Sequence, residues 1–390
     1  MRNFEFQNTT KIIFGKGTEN RVGEEMSRIG KKILLHYGSG SIIKSGLYDK
    51  VKDSLKKANI EVVELGGVKP NPRLDLVKEG IELCRKENID AILAVGGGSA
   101  IDSAKAIAMG VPYNGDVWDF FERKAEIKAA LPLGVILTLP ATGSESSTRT
   151  VISNTELGKK YGAGSQLLRP QFAILNPEFC FTLPPYQTAC GAVDMLSHVL
   201  ERYFSIEKDS DLTDRLCEAT MQSIIKNTLL ALKNPHDYAP RSELMWAGTI
   251  AHNDLLDTGR TTEWSCHSIE HELSAKYDIA HGAGLAIIFP AWMKYVYKRD
   301  VMRFAQFANR VFGVSMDYQN PERTALEGIE QLEVFFKRIN MPVRLSEVNI
   351  GTEDLGFMAK RCFRGNPDGT LGTFYPLNTE DILNIYKLAL

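Results

Sequence analysis

The first half of the chain repeats one pattern: a short apolar run, a turn rich in glycine, then apolar residues at helical spacing. Lys31–Tyr37 (KKILLHY) runs into Gly38-Ser39-Gly40-Ser41, and Leu47, Val51, Leu55 and Ala58 then recur every three or four residues. Ile60–Leu65 (IEVVEL) is closed by Gly66-Gly67, and Asn71-Pro72 opens a segment whose apolar face is Leu76, Val77, Ile81 and Cys84. Ala91–Val95 (AILAV) meets Gly96-Gly97-Gly98-Ser99, followed by a helical Ala100–Met109. Leu133–Leu139 (LGVILTL) ends in Pro140-Ala141-Thr142-Gly143-Ser144. Strand–turn–helix in this order predicts a parallel sheet with helices on both faces. Such sheets bind ligands at the carboxyl ends of their strands, where these turns lie.

Beyond Pro184-Pro185 the strand signals nearly vanish. Amphipathic stretches replace them at Asp211–Lys233, Ser242–Leu256, Met302–Phe312 and Pro321–Ile339, the last opened by Asn320-Pro321 as cap and first helical residue. At 390 residues, more than one core is expected. The expectation is an α/β Rossmann-like domain over residues 1–183 and an all-α domain over residues 184–390.

Charge and composition remove several classes of function. With 46 basic and 48 acidic residues the net charge is −2, which leaves no electrostatic footprint for nucleic acid or an anionic membrane surface. No stretch approaches the roughly 18 apolar residues of a membrane helix. The N-terminal sequence MRNFEFQNTTKIIFGKG contains no apolar run of signal-peptide length. Six cysteines without a CxxC pair are too sparse for a disulfide scaffold. The expectation is a reduced cytoplasmic protein.

The turns have a chemical reading. Backbone N–H groups at a helix N-terminus suit a phosphate, and glycine lets it approach closely. Gly38–Ser41, Gly96–Ser99 and Thr138–Ser144 each follow a strand, so a nucleotide is the expected ligand. The usual G-x-G-x-x-G is absent, because Ile43 stands at its last position when counted from Gly38, and no Walker A occurs.

Three of the seven histidines, His267, His271 and His281, fall within fifteen residues. Asp194 and His198 are four apart on an expected helix Gly191–Glu201, and His267 and His271 are four apart on another near Trp264–Leu273, so each pair shares a face. His281 precedes Gly282 in a glycine-rich break. A carboxylate with imidazoles suits Zn²⁺ or Fe²⁺. The competing reading is a buried Asp–His hydrogen bond with surface histidines. His267–His271 also matches the H-x-x-E-H pattern of zinc peptidases. A peptidase would leave the three turns and the Asp194/His198 pair without a role.

Together these residues resemble the iron-containing (group III) alcohol dehydrogenases. The blocks are Phe14-Gly15-Lys16-Gly17, Asn71-Pro72, GGGSAID at Gly96–Asp102, PATGSE at Pro140–Glu145, Asp194-x-x-x-His198, and His267-x-x-x-His271 with His281-Gly282, spread over the whole chain. Within the family the resemblance is to the butanol dehydrogenase and aldehyde reductase branch. It implies reversible hydride transfer between NAD(P)(H) and a short primary alcohol or aldehyde such as butanol or butyraldehyde. It implies one divalent metal, Fe²⁺ or Zn²⁺, on Asp194, His198, His267 and His281. His271 would then relay a proton, with Asp102 and Lys160 also at the reacting centre. The dinucleotide would contact Gly38, Asn71, Gly97, Gly98, Ser99, Thr138, Thr142 and Lys160. One Asp and three neutral His would leave a net +1 site.

Cofactor choice has a physical handle. A carboxylate after the first strand would bind the adenosine ribose hydroxyls and repel a 2′-phosphate. Gly38–Ser41 contains none, so NADP(H) is expected over NAD(H), with Ser39 and Ser41 as contacts. Glu64, near the end of the second strand, is the acid that argues the other way. The strand-like Lys11–Phe14 is expected to pair across a homodimer. Two rivals remain: a metal-dependent lyase or cyclase on the same scaffold, and a nucleotide-binding protein without catalysis.

Overall fold

The computed structural model describes residues 1–38, 40–363 and 369–390. Ser39, an expected cofactor contact, lies outside the described residues. Among the described residues there are eight strands: β1 (Lys11–Phe14), β2 (Lys32–Gly38), β3 (Glu61–Val68), β4 (Ala91–Gly97), β5 (Leu133–Leu139), β6 (Arg149–Asn154), β7 (Lys159–Gly164) and β8 (Phe172–Leu175). Six form one sheet in the order β1-β8-β5-β4-β2-β3, with every neighbouring pair parallel. The remaining two, β6 and β7, form an antiparallel hairpin.

Alternate residues of the sheet strands enter two separate cores, because successive strand side chains point to opposite faces. Leu34, Ile92, Ala94, Val135, Leu137 and Ala173 belong to one core. Ile33, Leu35, Leu93, Val95, Ile136 and Ile174 belong to the other. Apolar side chains on both faces account for the near-continuous hydrophobic runs of β2, β4 and β5. The first core takes its helical side from Leu74–Glu87 and Gly98–Gly110, the second from Leu47–Lys57.

Several boundaries differ from the sequence reading. Strand β3 continues through Gly66 and Gly67 to Val68, with Gly67 at φ 92°. The helix expected at Pro72 begins at Leu74. Asn71 takes a left-handed conformation at φ 52°, and the Pro72 carbonyl accepts the Ser153 N–H at 2.8 Å instead of opening a helix. The hairpin and β8 had no counterpart in the sequence reading. The hairpin is broken by Lys and Gly, and β8 has only four residues, all buried. Lys11–Phe14 is a strand, and it pairs with β8 inside the chain.

The chain divides into two compact units. One comprises residues 7–183 and 235–253 and holds the sheet. The other comprises residues 1–6, 184–234 and 254–390 and is helical. Helix Tyr238–Ala251 therefore belongs with the sheet unit, although its neighbours in sequence do not. It ends before His252, whose Nδ1 pairs with the Thr142 carbonyl at 2.8 Å, so the helix expected to reach Leu256 stops there. In the helical unit, helices Asp211–Lys233, Val301–Phe312 and Pro321–Arg338 lie where amphipathic spacing put them. Asn320 precedes the last of these without a side-chain cap bond. No helix among the described residues is long and apolar enough to cross a membrane.

Candidate active site

Sheet order makes neighbours of the three turns. From β2 the chain passes to β3 on one side, then returns to β4 on the other, so the connection reverses between β2 and β4. Ligands of open parallel sheets bind at such a reversal. Tyr37 pairs with Val95, and Gly97 pairs with Leu139, so the ends of β2, β4 and β5 stand side by side. Gly38, Gly97–Ser99 and Thr138–Ser144 stand at or continue from those three ends.

Helix Gly98–Gly110 follows β4 with only Gly97 as its N-cap, without a side-chain cap bond and without an acid in its first turn. Its first N–H groups therefore keep the anion preference of a helix start. Gly98 has a steric reason: a Cβ there would lie 2.4 Å from Thr142 Oγ1. Gly97, Ser99, Thr138 and Thr142 are partly exposed above a buried sheet.

The same helix fixes the PATGSE turn. Ser144 donates to Asp102 Oδ1 at 2.6 Å, and the Val151 N–H donates to Oδ2 at 2.9 Å. Lys105, fully buried, donates to the Ser147 and Arg149 carbonyls at 2.8 and 2.9 Å. Glu145 accepts from Thr249 at 2.7 Å, and burial pushes its carboxyl pKa up. Lys160 is buried on β7 and Asn71 is buried beyond β3.

Glu64 is not at a strand end. It pairs with Leu35, and β3 runs four residues further, about 13 Å at strand rise. Its carboxylate accepts from Tyr48 at 2.8 Å and from Lys52 at 2.6 Å. Burial raises its pKa, but Lys52 and Tyr48 outweigh this and hold it below the ordinary value.

In the helical unit, helix Pro185–Tyr203 presents Asp194 and His198 on one face. Helix Ser265–Tyr277 carries His267 and His271. His281 is the first residue of helix His281–Val296, not part of a glycine break. Two glycines let this last helix approach: a Cβ on Gly282 would lie 2.2 Å from the Cys190 carbonyl oxygen, and one on Gly284 would lie 2.6 Å from Glu270 Oε1.

Three imidazoles converge on one oxygen. His198 Nε2, His267 Nε2 and His281 Nε2 stand 3.8, 3.7 and 3.6 Å from Asp194 Oδ1. Donor atoms of Asp194, His267 and His281 all lie within 4.8 Å of one another. Asp194 Oδ1 and His267 Nε2 are buried and have no hydrogen-bond partner among the described residues. A tetrahedral cation about 2.1 Å from each donor requires donor separations of about 3.4 Å. The spacing of Asp194, His267 and His281 and the orphaned atoms fit a divalent ion; His198, 3.8 Å from Asp194 Oδ1, falls outside that close group.

Two acids hold the far side of the imidazoles. Glu201 pairs with His267 Nδ1 and Glu270 with His281 Nδ1. Burial would lower the His267 pKa; the Glu201 and Asp194 carboxylates outweigh it and push the imidazole up to about 9. The His271 ring lies 5.5 Å from that of His281, and Glu270, His271 and His281 form a second close group on the outer edge of the same centre. Neither glutamate was among the expected site residues. Glu201 was within reach, seven residues after Asp194 and three after His198 on one helix face. Glu270 is the acid of the H-x-x-E-H pattern that spans His267–His271.

A model of iron-containing alcohol dehydrogenases matches residues 9–177, and one of the C-terminal part of the Fe-containing alcohol dehydrogenase family matches residues 188–390. The chain is 45% identical over 388 residues to NADH-dependent butanol dehydrogenase A of Clostridium acetobutylicum, covering 99% of both. It is 36% identical over 367 residues to the NADPH-dependent aldehyde reductase YqhD of Escherichia coli, covering 93% of both. Its fold matches the crystal structure of NADH-dependent butanol dehydrogenase A from Thermotoga maritima with a TM-score of 0.97 at 45% identity, covering 100% of this chain and 99% of that one. The chain belongs to the iron-containing (group III) alcohol dehydrogenase family.

Proposed function

We propose that this protein is a metal-dependent alcohol dehydrogenase or aldehyde reductase. It moves a hydride between NADP(H) and a short primary alcohol or its aldehyde, with butanol and butyraldehyde as the reference pair. The observation that carries the metal assignment is the convergence of His198, His267 and His281 on Asp194 Oδ1 within 3.6–3.8 Å. The names of the relatives support the substrate class.

Each part of the chain has a distinct task in this reading. Residues 1–183 bind the dinucleotide and residues 184–390 carry the metal ligands. Gly97, Gly98 and Ser99 offer N–H groups to the pyrophosphate at the start of helix Gly98–Gly110. Thr138, Thr142 and Lys160 orient the nicotinamide side, with Gly38, Ser41 and Asn71 along the same strand edge. Asp102 has both carboxylate oxygens engaged by Ser144 and Val151, which supports holding the Thr142 turn in register. The cofactor supplies or accepts the hydride. A divalent cation, Fe²⁺ or Zn²⁺, on Asp194, His198, His267 and His281 would stabilise negative charge on the substrate oxygen. His271, partly exposed beside His281, relays the proton at its ring nitrogen.

The NADP(H) preference rests on the carboxylate-free Gly38–Ser41 turn and on the mid-strand position of Glu64. The relatives' names lean the other way: those at 42–45% identity are NADH-dependent, and NADPH enters with the aldehyde reductase at 36%. A homodimer is supported by β1, which lies at the sheet edge.

The test is stoichiometry and turnover together. Wild-type protein, metal-stripped and reloaded with Fe²⁺ or Zn²⁺, should reduce butyraldehyde with loss of absorbance at 340 nm. Asp194→Asn should lose the bound metal and at least about a thousandfold in kcat/KM, on the order of 4 kcal/mol of transition-state stabilisation. Full activity in Asp194→Asn would overturn the assignment, and no hydride transfer by the reloaded wild type would favour the lyase class.

A further inference from the structure

Two fully buried acids stand behind the proposed ligands. Glu201 and Glu270 are 1% and 0% exposed. A buried carboxylate is costly unless its oxygens are hydrogen-bonded or its charge is paired. Glu201 accepts from the ring and backbone N–H of His267, and Glu270 pairs with the His281 ring and the Ser274 hydroxyl.

Glu201 clamps one residue at two points. One oxygen meets His267 Nδ1, and Oε1 accepts the His267 backbone N–H at 3.2 Å. That N–H lies in the first turn of helix Ser265–Tyr277, whose N-cap, Trp264, makes no side-chain cap bond. Glu201, reaching in from helix Pro185–Tyr203, therefore caps this helix and orients its imidazole. Glu270 acts across a different pair of helices. One oxygen meets His281 Nδ1 and the other accepts from the Ser274 hydroxyl. The space for its carboxylate exists because residue 284 is glycine.

The pairing sets the tautomer. An imidazole that donates from Nδ1 to a carboxylate carries its lone pair on Nε2. With Nδ1 so paired, Nε2 of His267 and of His281 is turned toward Asp194 Oδ1, at 3.7 and 3.6 Å. Both Nε2 atoms are thereby presented to the position a cation would share with Asp194.

We infer that Glu201 and Glu270 are positioning residues for the metal: each locks one ligand imidazole with Nε2 toward the ion and strengthens it as a donor. The inference rests on the ligand assignment proposed above. It also alters the charge at the centre. A +2 ion with the Asp194 carboxylate is formally +1, and the two glutamates bring the total to −1. The acids hold the cation tightly at some expense of its electrophilic strength.

The readout is metal affinity, not turnover. Wild type, Glu201→Gln, Glu270→Gln and Asp194→Asn would be stripped and titrated with Co²⁺ and Zn²⁺ against a chromophoric chelator. The Co²⁺ d–d spectrum would be followed alongside. Glutamine keeps the shape and an acceptor oxygen but removes the charge. Each Gln variant should bind about 10- to 100-fold more weakly than wild type with a shifted d–d band. Ser274→Ala, which leaves the charge and loosens Glu270, should lose less than Glu270→Gln. Wild-type affinity, within twofold, in both Gln variants would overturn the inference while leaving the ligand assignment intact. Wild-type affinity in Asp194→Asn would instead overturn the assignment and the inference with it. Circular dichroism identifies any variant that does not fold, and the other Gln variant and Ser274→Ala then carry the test.

Discussion

At the scale of single residues, environment decides what a side chain does. His36 is a histidine that the metal centre does not use. It is fully buried on β2, its Nδ1 bonded to the Leu65 carbonyl and its Nε2 to the Ser103 hydroxyl, each at 2.8 Å. Burial pushes its pKa down to about 4. The native state keeps His36 neutral, while the unfolded chain protonates it below about pH 6.5. Its stabilisation is thus complete above pH 6.5 and falls as pH drops toward 4, by up to roughly 3 kcal/mol. Thermal unfolding of His36→Gln should depend less steeply on pH between 6.5 and 4.5 than that of wild type. Equal slopes would assign the acid sensitivity to carboxylates instead. His36, His267 and His281 look alike in sequence, yet one is held neutral in a core and two face an acid on each side. Spacing placed Asp194 with His198 and His267 with His271 on shared helix faces, since i,i+4 geometry is local. It could not supply Glu201 and Glu270, because the helix contact that makes them partners of imidazoles is tertiary.

Helix Gly98–Gly110 shows how one element serves several ends. Its first turn opens toward the strand edge, its apolar residues fill the core, and Asp102 and Lys105 tie the segment between β5 and β6. If Asp102 is a positioning residue, Asp102→Ala frees the Ser144 and Val151 contacts. Loss of hydrogen bonds to a charged group is worth about 1.5–3 kcal/mol, so KM for the dinucleotide should rise roughly 10- to 100-fold with metal content unchanged. A fall in kcat at constant KM would put Asp102 at the reacting atoms. The glycine turns and the helices beside them were legible in sequence because they depend on local period and turn chemistry. The β6–β7 hairpin was not: its alternation is weak, and its buried Lys160 reads as surface until the fold covers it.

For the whole molecule, strand order is what assembles the proposed dinucleotide edge. Three similar turns become one surface only because β4 returns beside β2 and β5 beside β4. Glu64 stands four residues before the end of β3, so the proposed NADP(H) preference rests on the Gly38–Ser41 sequence. Ser39→Asp should therefore raise the ratio of kcat/KM for NADH over NADPH by at least about tenfold, since a carboxylate repels a 2′-phosphate and accepts ribose hydroxyls. An unchanged ratio in steady-state assays with both cofactors would refute the preference. The chain also crosses between units: helix Tyr238–Ala251 and residues 1–6 sit with partners distant in sequence. No composition shift marks those crossings, because both units use the same apolar helix faces.

The sequence alone determined the class of fold, the three turns and the face-sharing pairs Asp194/His198 and His267/His271. Each follows from periodicity over a few residues, which the backbone imposes regardless of what packs against it. Tertiary structure decided the rest: which strands adjoin, that His281 opens a helix, and that Glu201 and Glu270 stand behind two imidazoles. These depend on long-range approaches, such as that of Gly282 to the Cys190 carbonyl, whose energy no local pattern encodes.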